Sequence, residues 1–387
     1  MHVKNTLKNF KDKIIGKKGL LSIGFADIVG TVISGLFWLY IASQLNPEIY
    51  GEVIYFISIA SLAQMISLLG SSNALTVYTA KNVKIQSTLF LISILAAAFS
   101  LVIITIFYNR IDVGLLAVGF VLFSLVNSVM LGKKLFVKYS KIVLSQKILT
   151  LVLGLGLYFV FDVYGIIYGL ALSYIPHLFI FVKEFSGTKI DFTLLKPRKG
   201  FIINNYVMSL TAGLGGTVDK LIIAPVLGLA LLGNYSLALQ MLTIMMMFSE
   251  VVYKYLLPLD ASGESNKKIR QIALIISIII TILGVTILPN VIDWLFPKYV
   301  DTTDAIQIMS LAVVPGTIVI LYSSKFLGME KSKFVLTTKL VSLGVMVGGF
   351  LYFGPIYGAI GLAWIIVTMV TWEAIFLFIM NRTLRAT

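Results

Sequence analysis

Cysteine is absent from this 387-residue chain, and histidine occurs only twice, at His2 and His177. Without cysteine the chain has no disulfide framework and no thiolate metal site. Charged residues are also scarce, at 12% against about 25% in ordinary soluble domains. The sequence contains no glycine-rich phosphate loop, no cluster of metal ligands and no long loop carrying paired carboxylates. It therefore predicts no enzyme and no cofactor or metal site, and a single histidine such as His177 in an apolar run is typical of packing.

Apolar residues, in contrast, make up 58% of the chain, and the mean hydropathy is +0.97. Twelve apolar runs reach about 20 residues, the length that crosses about 30 Å of hydrocarbon as a helix. These runs lie near 19–44, 49–71, 86–108, 113–132, 141–161, 163–183, 201–228, 230–257, 271–297, 304–327, 334–353 and 356–380. They are continuous rather than alternating, which excludes a barrel. The sequence thus predicts an all-α polytopic membrane protein with twelve transmembrane helices.

The net charge of +14 follows membrane topology rather than a nucleic-acid surface. If the N-terminus is cytoplasmic, 28 of the 31 lysines and arginines fall in inner segments. Only Arg110 and Lys298 fall in outer loops, and Lys220 alone lies deep in a span. This bias is the positive-inside rule, so we expect a cell-membrane protein with both termini cytoplasmic and no nucleic-acid partner. The first run is too long for a signal-peptide core and is interpreted as an uncleaved span.

The segment before the first run is rich in lysine and has apolar residues at helical spacing. Val3, Leu7, Phe10 and Ile14 would form one face of a helix. This pattern predicts a basic amphipathic helix lying on the inner membrane surface. A disordered basic tail that merely fixes topology is the alternative.

The two halves of the chain resemble each other. KYSKIVLSQKIL (138–149) and EKSKFVLTTKLV (330–341) are identical at five positions, and VYGIIYGLA (163–171) matches IYGAIGLA (356–363) with one residue of slippage. LNPEIYG (45–51) and LGLALLG (227–233) both end in glycine at the same spacing. Six spans per half is an even number, so both halves enter the membrane from the same side. We therefore expect two parallel-repeat six-helix bundles, at 1–185 and 186–387, with substrate between them.

Three acids lie about two helical turns from the cytoplasmic ends of their spans: Asp27, Glu250 and Glu373. Acids at one depth suggest a polar vestibule open to the cytoplasm, because intramembrane charges usually face a cavity or a partner. Glu250 and Lys254 are spaced i, i+4 in the favoured order, which predicts mutual neutralisation. Asp27 and Glu373 have no such local partner.

Asp219 and Lys220 lie on the outer side of the seventh span. Neighbours on a helix point about 100° apart, so we expect each to find its partner elsewhere. They form either a structural pair bonded to other helices or the wall of a cavity that meets a charged substrate. Lys147 and Lys339, at the cytoplasmic mouths of equivalent helices, are candidates for attracting an anion. Positive-inside anchoring inherited by duplication explains them equally well.

Two segments resemble the polysaccharide transporter family. VDKLIIAPVLGLALLGNYSLALQM (218–241) is similar to the family's seventh and eighth spans through Asp219, Lys220, Gly228, Gly233, Tyr235, Ser236 and Ala238. ASQLNPEIYGEVIYFISIASLAQMISLLG (42–70) resembles its first hairpin through Pro47, Glu48, Tyr50 and Gly51. Membership would place the chain in the superfamily of multidrug, oligosaccharidyl-lipid and polysaccharide exporters. The resemblance implies a MATE-like, V-shaped pair of bundles that moves a lipid-linked oligosaccharide to the outer leaflet by alternating access.

Two other interpretations stay open at this point. A cation-coupled exporter of drugs or organic cations would use Asp27, Glu250 and Glu373 to bind H⁺ or Na⁺. A membrane enzyme or scaffold of a polysaccharide assembly machine would transport nothing. The expected partners are the glycan substrate, membrane lipids and, within such a machine, glycan-assembly proteins. Cavity walls rich in lysine and arginine would favour the anionic cargo, and walls rich in acids would favour the cation.

Overall fold

A computed structural model describes residues 2–262, 266–299, 301–329 and 331–386. Within these ranges the regular structure is helical and no strand occurs. The predicted all-α fold is therefore confirmed. The first helix already begins at His2, so the basic N-terminal segment is helical. The predicted apolar face at Val3, Leu7, Phe10 and Ile14 lies outside the described side chains and stays a prediction.

The first half of the chain forms seven helices in the described residues. They are α1 (His2–Gln44), α2 (Pro47–Leu68), α3 (Ser71–Ala80), α4 (Gln86–Tyr108), α5 (Ile111–Gly132), α6 (Phe136–Leu172) and α7 (Ile175–Phe185). Local sequence explains the start of α2: Pro47 occupies the first helical position, where no amide is needed. Asn46 precedes it and accepts a hydrogen bond from the Ile49 amide at 2.9 Å, which caps the helix.

Two short 3₁₀ turns, Phe192–Leu194 and Lys196–Arg198, lead into the second half. Its helices are α8 (Lys199–Leu214), α9 (Val218–Leu227), α10 (Leu229–Ala261), α11 (Lys267–Thr286), α12 (Leu288–Leu295), α13 (Thr302–Ser310), α14 (Val313–Gly328) and α15 (Ser332–Ala386). Outside the spans, Asp191 accepts hydrogen bonds from the amide and hydroxyl of Thr193. These bonds hold the pKa of the Asp191 carboxyl below its usual value.

Eight helical segments of the described chain are long and apolar enough to cross a membrane, or nine if the bent pair α13–α14 is one span. Two of these segments, Phe136–Phe185 and Ser332–Thr383, have 50 and 52 residues. At 1.5 Å per residue each extends about 75 Å, enough for two crossings. All twelve predicted runs lie on helices, and the chain is a multi-pass membrane protein. The second, sixth, seventh, ninth and tenth runs are each interrupted by a break between two helices.

Both long segments contain one residue with unusual backbone angles. Asp162 in α6 has φ 57° and ψ −143°, and Gly358 in α15 has φ 54° and ψ −138°. Asp162 lies between the fifth and sixth predicted spans, whereas Gly358 is the third residue of the twelfth, where the repeat aligns it with Gly165. The conformation is one that glycine adopts readily and other residues adopt only with strain. Each half thus has one kink near the start of its sixth span, and only the second half has glycine at the kink.

The chain divides into two compact units. One comprises residues 1–38 and 56–214, and the other comprises residues 39–55 and 215–387. In the first unit the rings of Phe90 and Phe181 stack at 4.8 Å within an apolar core. In the second, Val319 and Phe326 pack against residues of α15. The expected six-helix boundary near residue 185 stays a prediction.

The first turns of α2 and α10 pack closely within the second unit. A Cβ atom on Gly51 would lie 1.9 Å from the Leu229 carbonyl oxygen, and one on Gly233 would lie 1.9 Å from the Pro47 carbonyl oxygen. The two contacts are reciprocal, because Pro47 and Leu229, like Gly51 and Gly233, occupy matching positions of LNPEIYG and LGLALLG. Only glycine permits this approach of two backbones.

Candidate functional site

Asp219 is a buried carboxylate held by two different donors. It lies in the first turn of α9, and the Nζ atom of Lys220 is 3.1 Å from each of its oxygens. The hydroxyl of Tyr235, on α10, donates to Oδ2 at 2.9 Å. A buried carboxylate without donors would be strongly unfavourable, so these bonds offset its desolvation. Asp219 therefore links α9 to α10.

The expectation that Asp219 and Lys220 do not face each other is wrong. It assumed a continuous helix, whereas α9 begins only at Val218. Both residues lie in the first turn, and the long side chain of Lys220 points back toward the helix start, as helical side chains do. There its Nζ atom also donates to the Gly216 carbonyl oxygen at 2.9 Å. For Asp219, the expected partner on another helix is present as Tyr235.

The seventh predicted span is broken immediately before this pair. Helix α8 ends at Leu214, α9 begins at Val218, and both Gly215 and Gly216 are exposed. Non-helical backbone at membrane depth is tolerated where it lies against protein or a water-filled cavity. Discontinuous spans of this kind hold substrate and ion sites in many transporters. Gly213, Gly215 and Gly216 cluster at this position, and that cluster is the sequence feature that could have indicated the break.

Glu373 and Lys339, predicted separately as site residues, form an ion pair. Both lie on α15, on opposite sides of its kink, and Lys339 Nζ is 2.8 Å from Glu373 Oε2. Only 2% of the Glu373 side chain is exposed, against 59% for Lys339. An exposed lysine thus neutralises a buried carboxylate, which the sequence spacing of 34 residues did not reveal.

Lys147 occupies the position in the first half that Lys339 occupies in the second. It is half-buried on α6, and its Cγ atom lies 3.3 Å from the Cβ position of an alanine placed at Gly30 of α1. In the described part of the chain its ammonium group forms no hydrogen bond or ion pair. Asp27, one turn before Gly30, is half-buried and acts electrostatically on Tyr139 of α6. The structure therefore places Asp27 and Lys147 at the contact of α1 with α6.

Glu250 and Lys254 are exposed on α10. The Glu250 carboxylate acts electrostatically on Tyr253. Lys254 takes part in an interaction of its own. Their mutual neutralisation stays a prediction.

One charged cluster of the second unit was missed at the sequence level. The Nη2 atom of Arg270 lies 2.5 and 2.6 Å from the two carboxylate oxygens of Asp260, and Ser324 donates to the same carboxylate at 2.5 Å. Arg270 also donates to the Leu321 carbonyl oxygen at 2.7 Å. These bonds tie α10, α11 and α14 together. Asp260 lies three residues beyond the eighth apolar run, so the hydropathy pattern gave no signal of it.

Arg110, assigned from the sequence to an outer loop, is buried. Its guanidinium lies 4.2 Å from the centroid of the Phe56 ring and 4.7 Å from that of Tyr164. The Nη2 atom is 2.8 Å from Asp112 Oδ2. Two aromatic faces and one carboxylate thus satisfy the cation structurally. In the sequence, the only indication of this ion pair was the Arg-x-Asp spacing of Arg110 and Asp112 at the start of α5.

His177 is fully buried, and its ring lies 5.0 Å from Phe123 and 5.9 Å from Tyr174. Neither ring nitrogen has a hydrogen-bond partner in the described residues. These contacts agree with the packing role expected for this histidine.

Comparison with known proteins places this arrangement in a fold group. Over 92% of the chain it matches an inward-facing multidrug resistance MATE family transporter of the MOP superfamily, with a TM-score of 0.69, 16% identity and 93% of that chain covered. It also matches the lipid II flippase MurJ in an inward closed conformation over 93% of the chain, with a TM-score of 0.78, 13% identity and 87% of that chain covered. The chain has the fold of MOP superfamily transporters.

A third match is a MOP superfamily transporter from Pyrococcus furiosus, described as having a binding pocket of reversed polarity. Its TM-score is 0.60 at 18% identity, with 95% of both chains covered. No family model and no curated protein matches the sequence. At these identities the MOP neighbours establish the fold, and the cargo has to be argued from the residues of this chain.

Proposed function

We propose that this protein is a flippase that moves a lipid-linked oligosaccharide or polysaccharide precursor from the cytoplasmic to the outer leaflet by alternating access. We place it in the cell membrane with both termini in the cytoplasm, because the positive-inside bias extends over every loop. The MOP fold and its likeness to a lipid II flippase support the transport of a lipid-linked cargo. The broken seventh span supports a binding region in the membrane.

The main support for an anionic cargo comes from which charged side chains are neutralised by ion pairs. The buried acids Asp219 and Glu373 are each bonded to a lysine. Lys147 is half-buried without an ion-pair partner in the described residues, so no direct contact neutralises its charge, although Asp27 lies at the same contact of α1 with α6. An intramembrane cation is unfavourable by several kcal/mol unless something compensates it. A phosphate of the cargo would compensate Lys147 during passage.

The chemistry of the cargo fits such a path. The phosphates and sugars need polar contacts across the membrane, whereas the hydrocarbon tail can stay in lipid. Lys147 and Lys220 would each offer a cationic contact to a phosphate. The Gly216 carbonyl, to which Lys220 donates, could be exchanged for a phosphate oxygen at little cost, because both accept the same hydrogen bond.

A second candidate function rests on Glu250. Its carboxylate is exposed on α10 and would bind H⁺ or Na⁺ in a cation-coupled exporter, as would, separately, the half-buried Asp27 of α1. The same ions could couple energy to the flippase. A scaffold or enzyme of a glycan-assembly machine would instead show no transport at all.

The test is reconstitution of the full chain into vesicles with a fluorescent lipid-linked oligosaccharide. We expect faster transbilayer movement than in protein-free vesicles, and a loss of about tenfold or more in Lys147→Ala, since one charge-assisted hydrogen bond contributes about 1.5–3 kcal/mol. Lys333→Ala, an exposed lysine at the start of α15, is the matched control. No acceleration with several sugar structures would contradict the flippase, and export of an organic cation driven by an ion gradient would support the second candidate.

A further inference from the structure

An apolar groove of about 400 Å³ lies between α14 and the second half of α15. Its walls include Pro315, Ile318, Val367, Thr371, Ile375 and Phe378. Thr371 is the only polar residue among those that line it. The volume falls within the range of about 300–1,000 Å³ that is usual for ligand sites. Sugars are poor candidates for this groove, because a hydroxyl-rich ligand needs several polar partners.

The groove follows from the break in the tenth predicted span. Helices α13 and α14 meet at 45°, so α14 does not continue the line of α13 past α15. Pro315 lies in the first turn of α14, where its missing amide is tolerated. On the opposite wall, Ala374 and Val367 have short side chains that leave the space open. The groove is thus built into the helix geometry.

A cation lies at one end of the groove. The guanidinium of Arg382 is 4.5 Å from the ring centroid of Phe378, which lines the groove. Arg382 is exposed and forms no hydrogen bond or ion pair with any residue that the structure describes. On α14, Lys325 donates to Asn381 at 2.5 Å and adds positive charge beside it. An apolar channel that ends in a free guanidinium is complementary to a hydrocarbon chain with an anionic head.

We propose that this groove binds an anionic phospholipid of the surrounding bilayer, with one acyl chain along Thr371 and Ile375 and the phosphate on Arg382. The guanidinium can bond two phosphate oxygens at once, which a zwitterionic lipid with its own compensating ammonium would weaken. Basic pockets beside membrane helices hold anionic head groups in this way. The site is independent of the proposed flippase activity, because it uses neither Lys147 nor Lys220.

The experiment is native mass spectrometry of the full-length protein in detergent, titrated with phosphatidylglycerol or with phosphatidylcholine of identical acyl chains. We expect phosphatidylglycerol to bind about tenfold more tightly, and Arg382→Gln to remove that preference. Lys333→Gln, which removes an exposed lysine remote in sequence from the groove, should leave it unchanged. Thr371→Trp fills the groove and should weaken the binding of both lipids. Ile375→Trp serves the same purpose if the first variant does not fold.

Three results would overturn the proposal. The first is an equal loss of phosphatidylglycerol binding in Arg382→Gln and Lys333→Gln, which would show non-specific charge attraction. The second is unchanged binding in both groove-filling variants when their melting temperatures match the parent. The third is tighter binding of a polyprenyl phosphate than of phosphatidylglycerol, which would assign the groove to the tail of a carrier lipid.

Discussion

Lys147 and Lys339 occupy matching positions in the two halves of the chain, yet their surroundings differ. Lys339 is paired with the buried Glu373 at 2.8 Å, whereas Lys147 packs beside Gly30 and has no ion-pair partner in the described residues. By the spacing of the repeat, the position corresponding to Glu373 in the first half is Phe181, a core residue. The two halves thus share the lysine and differ in its partner. In the second half the ammonium group of Lys339 stabilises a buried carboxylate, whereas in the first half the ammonium group of Lys147 is available to bind an anion.

Backbone features are preserved more closely than charges. Both halves kink near the start of their sixth span with nearly the same angles, at Asp162 and Gly358. The glycines at 51 and 233 make the same contact in both directions. A backbone contact depends on the size of one residue, whereas an ion pair needs two matching residues. The first is therefore easier to retain after duplication.

The largest effect is expected where the halves are alike. Gly51→Ala and Gly233→Ala should each lower the free energy of unfolding by about 3 kcal/mol, because a new Cβ would overlap a backbone carbonyl that cannot rotate away. Thermal unfolding in detergent measures both. Gly348→Ala is the control, since a Cβ there meets nothing within 4 Å. Equal losses would support the reciprocal contact, and a loss in only one variant would contradict it.

The paired lysine should matter more to stability than the unpaired one. Lys339→Ala leaves Glu373 buried without its ion-pair partner, and we expect a loss of about 2 kcal/mol, less than for a fully buried pair because Lys339 is largely exposed. Lys147→Ala should change stability by less than about 0.5 kcal/mol. Denaturation in detergent compares the two. Restoration by the double variant Lys339→Ala with Glu373→Gln would confirm the pair, and equal losses in the two single variants would refute the contrast.

When the two halves are aligned, Lys220 has no lysine at the corresponding position of the first half. Its substitution therefore tests whether the second half also contains a charge that acts in transport. We predict that Lys220→Ala abolishes transport while the protein still inserts into the membrane. Tyr235→Phe removes the other bond to Asp219 and should lower stability by about 1 kcal/mol. Flux in vesicles and monodisperse elution in detergent separate the outcomes. Loss of folded protein in Lys220→Ala would assign the pair a structural role instead.

Opposite effects on stability are expected at the two kinks. Gly358→Ala should lower stability by about 1–2 kcal/mol, because alanine is strained at φ 54°. Asp162→Gly should raise it by about 1 kcal/mol for the same reason. The melting temperatures of the two variants in detergent show whether stability changes in opposite directions. A change of the same sign in both would show that the two kinks are not equivalent.

The twelve apolar runs could be predicted because hydropathy depends on residue type alone. Breaks within spans were harder: Gly215 and Gly216 marked one of them, but glycine also occurs in unbroken membrane helices. The interactions of the site were largely hidden. Glu373 and Lys339 are 34 residues apart, and their contact depends on a kink at Gly358 that sequence spacing does not encode. Asp219 and Lys220 were misjudged because the start of α9 was unknown.

The reciprocal packing of Gly51 and Gly233 also bears on how the chain originated. Two identical surfaces that each insert into the other form an isologous contact, the arrangement found in dimers with two-fold symmetry. A half-length ancestor would have formed this contact between two copies of itself, with one glycine serving both sides. Fusion of two gene copies would then have freed each surface to mutate separately. The matched glycines at this crossing are the trace that such a symmetric dimer would leave in a single polypeptide.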